Sequence, residues 1–106
     1  MTTQVAPSRM VAIPGRDGWT VTFKPDVKLR TLRELDSNDF DVKLTALARV
    51  IDTWHVLDVD TGAALGPPTL DTIQELPDSV VTAIVVAFNG YMAARTQLPN
   101  VNGSAP

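Results

Sequence analysis

The chain has no cysteine and a single histidine, His55, among its 106 residues. The first absence excludes a disulfide framework, a thiolate metal site and a cysteine nucleophile, and it fits a reducing compartment. The second leaves any zinc site to be completed by carboxylates around one imidazole, an uncommon donor set. Long apolar runs are missing too. The longest, Val80 to Phe88, is interrupted by Thr82 and falls far short of the roughly 20 residues that span a bilayer. Met1 to Pro7 lack the basic start and apolar centre of a signal peptide, so a soluble, intracellular protein is expected. The six glycines are scattered and form no phosphate-cradling loop.

Hydrophobic residues make up 44% of the chain, enough for one modest core at this length. We expect a single globular domain over residues 10–96, between a flexible start (1–9) and a flexible tail (97–106) that contains Pro99, Asn100, Gly103 and Pro106. The net charge of −3 is unevenly spread: residues 1–33 hold six Lys or Arg against two Asp, and residues 34–106 hold three against ten carboxylates. The basic third is dispersed, with only Trp19 and Phe23 as aromatics among its charges. That is not the dense footprint that nucleic-acid binding requires, and no nucleic-acid partner is expected. Attraction between the two halves, within one copy or between copies, is the simpler reading.

Gly18 to Phe23 alternates, with Trp19, Val21 and Phe23 on one side and Thr20 and Thr22 on the other. With Met10-Val11-Ala12-Ile13 and the turn formers Pro14 to Gly18, this predicts a small β-hairpin. Thr31-Leu32-Arg33-Glu34 matches a capping box and predicts a short helix over Leu32 to Asp36. A second helix is predicted from about Asp39 to Asp52, capped by Asn38 or Ser37, with Phe40, Leu44, Leu47, Val50 and Ile51 as its apolar stripe. Trp54 to Val59 reads as a short extended segment that anchors Trp54 in the core, ending in the turn Asp60-Thr61-Gly62. Thr69 is positioned to cap a helix over Leu70 to Leu76, broken by Pro77. The longest helix follows, from Ser79 to about Arg95, with Asp78 or Ser79 as its cap. The expected class is therefore α+β, mainly α with a small N-terminal β-hairpin.

Little here carries chemistry. Asp58-x-Asp60-x-Gly62 suggests calcium, but an EF-hand loop needs an oxygen ligand where Gly62 sits and a glutamate where Thr69 stands. Ser8, Ser37, Ser79 and Ser104 all lie outside a nucleophile-elbow context. No catalytic residue, metal or cofactor is expected. The last helix is more informative, because its apolar residues wrap nearly all the way round, and such a helix has to be covered on every side. It is either the central core helix or a partner-binding face formed by Val81, Val85, Phe88 and Met92, for self-association or for a client.

The order Ile51-Asp52-Thr53-Trp54-His55-Val56-Leu57-Asp58-Val59-Asp60-Thr61-Gly62, then prolines, then Leu76-Pro77 and an apolar helix, resembles the tail assembly chaperones of long-tailed phages, particularly those infecting actinobacteria. Ile13-Pro14-Gly15 and Thr31-Leu32-Arg33-Glu34-Leu35 are similar in placement, and the resemblance spans roughly residues 10 to 94. His55 stands where that family usually has asparagine. The resemblance implies a mostly helical, non-enzymatic protein of the host cytoplasm. It implies binding to the tape-measure protein and, through a longer frameshifted product, to the tail-tube protein, with no place in the finished virion. The alternative is a permanent virion component, such as a head–tail connector or tail protein.

Overall fold

A computed structural model describes residues 9–96; the two expected flexible ends lie outside the described residues except for Arg9. Along the chain run β1 (Met10–Ala12), β2 (Thr20–Phe23), α1 (Leu29–Leu35), α2 (Phe40–Val50), β3 (Ile51–His55), α3 (Leu70–Ile73) and α4 (Asp78–Thr96). The strands form one antiparallel sheet in the order β1-β2-β3. It is a small α+β fold in which helices predominate.

The predicted hairpin is present. The Ile13 amide donates to the Trp19 carbonyl at 2.9 Å, and Gly15 and Gly18 turn the chain at φ +76° and +78°, where a side chain would be strained. Register follows the alternation. Met10, Thr22 and Thr53 align across the sheet, as do Ala12, Thr20 and His55, and this face stays open to solvent. The other face carries Val21 and Phe23, both fully buried. The third strand is new relative to the expected hairpin. α2 stops at Val50 rather than Asp52, and Ile51 passes directly into β3, which pairs with β2 through a bulge at Thr22/Phe23.

Two expected helix starts are corrected. α1 begins at Leu29, three residues before the expected start, with Lys28 at its N-cap making no side-chain cap. Thr31 is buried inside the first turn, and Glu34 reaches across to Arg49 on α2 at 3.3 Å instead of folding back. The capping box is therefore not formed there. α2 is capped by Asp39, whose carboxylate accepts from the Val42 amide at 3.2 Å, while Ser37 accepts from the Asp39 amide one step earlier. The capping box that does form is at α3, where Thr69 and Thr72 exchange side-chain and backbone bonds. α3 is shorter than predicted, and its chain then passes through Pro77, whose carbonyl accepts the first bonds of α4 from Val80 and Val81.

Trp54 is half-buried rather than central: its indole N–H donates to the Gly66 carbonyl at 2.8 Å, tying β3 to the loop before α3. The deep core belongs to α4 and the sheet. Val80, Ile84, Phe88 and Tyr91 form a buried stripe down one side of α4. Phe23 meets Phe88 edge-on at 5.3 Å and stacks on Tyr91 at 5.6 Å. The Tyr91 hydroxyl donates to the Lys24 carbonyl at 3.4 Å, at the point where β2 ends.

Gly90 faces solvent, with nothing within 4 Å of the position a Cβ would take. No close approach requires it, so Gly90→Ala should stabilise the fold by about 0.5–1 kcal/mol, relieving the entropic cost of glycine in a helix. Thermal unfolding should report a midpoint raised by roughly 3–6 °C. Asp39→Ala should act oppositely, losing about 1 kcal/mol with the cap of α2.

Candidate functional site

The four residues expected to form one partner-binding face, Val81, Val85, Phe88 and Met92, do not share one exposed face: Val85 and Phe88 line one hollow and Val81 another. Phe88 is interior, 3% exposed, and is a core residue rather than a contact surface. Val81 and Val85 lie half-buried on the shoulder of the buried stripe. Met92 is half-buried near the last turn, where its sulfur accepts from Arg95, whose guanidinium also sits over the Tyr91 ring at 5.4 Å. The side of α4 that meets solvent is Thr82, Val86, Asn89, Gly90 and Ala93. Only Val86, 63% exposed, is a large apolar residue there. Most of the apolar surface of α4 is thus covered by this chain's own core.

Exposed large apolar side chains are spread over the surface, at Met10, Leu29, Val59 and Val86 as well as at the start of α2, where Phe40 adjoins an apolar concavity. Phe40 is 67% exposed and Val42 38% exposed, although the stripe pattern implied that Phe40 is buried. Phe40 is the first residue of its helix, so it extends past the edge of the core that Leu44, Leu47 and Val50 enter. Beside it opens a groove of about 310 Å³, lined by Phe40, Leu44, Ile73, Leu76 and Val81, with Gln74, Asp78 and Thr82 at its margins. Three elements build it. Phe40 and Leu44 come from the start of α2, Ile73 from α3, Gln74 and Leu76 from the segment after it, and Asp78, Val81 and Thr82 from the start of α4. Of the four expected contact residues, Val81 alone lines it. Val85 lies in a separate hollow of about 220 Å³ with Leu35, Asp36, Lys43, Leu47, Phe88 and Asn89.

The groove's charge is one-sided. No Lys, Arg or His lines it, while Asp78 does. Asp39 and Asp41 flank Phe40, and Glu75 precedes Leu76; all are exposed. Of these carboxylates Asp78 alone lines the groove, and Asp41 lines a neighbouring hollow with Glu34 and Arg49. The groove includes the first residues of α2 and α4, Phe40 and Asp78.

The other sequence candidates hold no reaction centre. His55 is exposed and lies opposite Thr20 on the open sheet face. The Asp58 carboxylate accepts from the amides of Asp60 and Thr61, at 2.7 and 3.4 Å, so it closes a turn around Gly62. No cluster of three or more metal-ligating side chains occurs among the described residues. No described helix is long and apolar enough to cross a membrane. Compared with known proteins, the chain matches no protein-family model, no curated sequence and no solved structure.

The contrast between the two phenylalanines is measurable. Phe88→Ala should cost about 3–5 kcal/mol by opening a cavity against Phe23 and Tyr91. Phe40→Ala should stay within about 1 kcal/mol, as surface truncations do. Chemical denaturation of both variants checks this.

Proposed function

We propose that this protein is a tail assembly chaperone of a long-tailed phage. On this reading it is non-enzymatic, works in the host cytoplasm, and holds the tape-measure and tail-tube proteins before tail polymerisation. The observation that carries the reading is the groove beside Phe40. A large aromatic stands exposed over an apolar floor, on a small chain with no catalytic grouping near it. The sequence pattern from Trp54 through Leu76-Pro77 into the apolar helix supports the family, and Leu76 of that pattern lines the groove.

The mechanism is physical. A tape-measure protein is a long, aggregation-prone helical client, and its apolar stripe seats in the groove while Phe40 packs over it. Covering Phe40 and the shoulder of Val81 contributes about 2–4 kcal/mol, or roughly one and a half to three powers of ten in Kd. One such contact is weak. Many copies along one client gain by avidity, and each remains weak enough for tube subunits to displace. Asp78, the one charged residue lining the groove, favours clients whose apolar stripe is bordered by Lys or Arg over those bordered by carboxylates.

Co-expression with the tape-measure protein from the same genome tests this. The wild-type chain should keep the client soluble and co-purify with it, and should be missing from purified particles by mass spectrometry. Phe40→Asp should reduce capture by at least about tenfold with an unchanged unfolding curve, since an aspartate suits the first turn of a helix. If Phe40→Asp captures the client normally, the groove is not the contact surface. If the wild-type chain is found in particles at fixed copy number, the protein is the virion component instead.

A further inference from the structure

A second concavity, at the opposite end of α2, has a different character. It encloses about 360 Å³ where β2 leaves the sheet, where the following segment enters α1, and where α2 ends. Its walls carry Lys24, Lys28, Arg30 and Arg49, with Asp26 as the one carboxylate among them. Arg49 also pairs with Glu34 at 3.3 Å, which leaves most of its guanidinium N–H groups unused. Four cations against two carboxylates leave two positive charges around this hollow, in a chain whose net charge is −3.

Thr31 supplies an independent observation. It is the one buried polar residue among the described residues, 6% exposed, and it lines this same concavity. Its hydroxyl makes no hydrogen bond within the described chain, yet no fully enclosed side-chain polar atom there lacks a partner. The hydroxyl must therefore reach accessible surface, and Thr31 is one of the residues lining the basic hollow. A water-accessible hydroxyl beside several cations can donate to an anion that takes the place of that water.

We propose that this hollow binds a phosphate group, free or as a monoester. Two net positive charges match a phosphate dianion better than a singly charged carboxylate. Lysine, arginine and hydroxyl donors arriving from three separate segments suit a tetrahedral acceptor with three or four oxygens. The site is independent of the apolar groove and of any client.

Titration of the full-length, isotope-labelled protein with inorganic phosphate, at ionic strength held constant with sodium chloride, tests the proposal by NMR. Amides of residues 24–31 and the Arg49 side chain should shift along saturable curves, while those around Phe40 stay still. Lys28→Gln with Arg30→Gln should weaken binding by at least about tenfold. Thr31→Val, which keeps the side-chain shape, should weaken it several-fold with the fold unchanged. Lys43→Gln, a charge removed elsewhere, should leave it unaltered. O-phosphoserine binding as tightly as inorganic phosphate assigns the site to monoesters; a preference for inorganic phosphate assigns it to the free anion. Non-saturating shifts, equal responses to acetate, or indifference to the Lys28 and Arg30 changes would each overturn the proposal.

Discussion

The fold depends on the packing of one side chain, Phe23. It lies on the central strand, is fully buried, and touches both Phe88 and Tyr91 of α4. Aromatic pairs at such separations add roughly 0.5–1.5 kcal/mol each beyond the area they bury. The larger consequence is geometric. With Phe88 and Tyr91 fixed against β2, the α-helical period places Val80 and Ile84 in the core and turns Val81 and Val85 onto the shoulder. The position of Val81 then sets the far wall of the groove, facing Leu44 and Phe40 on α2.

α2 carries the two candidate sites at its two ends. Phe40 opens it beside the apolar groove, and Arg49, near its end, borders the basic hollow. At about 1.5 Å per residue they lie roughly 14 Å apart along the helix. The uneven charge of the sequence is partly spatial: Lys24, Lys28 and Arg30 of the first third join Arg49 at one end of α2, and no cation lines the groove at the other. The surface ion pairs, Arg9 with Asp52 at 3.6 Å and Arg49 with Glu34 at 3.3 Å, contribute little to stability. Their effect is on which cations stay available.

Local patterns were legible in the sequence and non-local ones were not. The alternation of Trp19, Val21 and Phe23 gave the buried face of β2, and the break at Pro77 gave the start of α4 to within a residue. The pairing of β3 with β2 brings Ile51 opposite Phe23, a contact between distant segments that no short window contains. Thr31-x-x-Glu34 matched a cap pattern, but tertiary contacts used both residues otherwise, Thr31 in the interior and Glu34 on Arg49. For the candidate site, Val81 was anticipated and Phe40 was not. Periodicity identifies which residues share a face but cannot say where the core stops along it. The available signal was chemical: an aromatic between Asp39 and Asp41, at the very start of a helix, has charged neighbours that keep it near water.

The central claim is that an apolar client helix seats between the start of α2, α3 and the start of α4. Hydrogen–deuterium exchange of the full-length protein, with and without a tape-measure fragment, measures this most directly. The account predicts new protection over residues 40–44, 70–76 and 78–82, with the open sheet face unchanged. Protection confined to the sheet face or to the last turns of α4, with residues 40–44 unaffected, would contradict it.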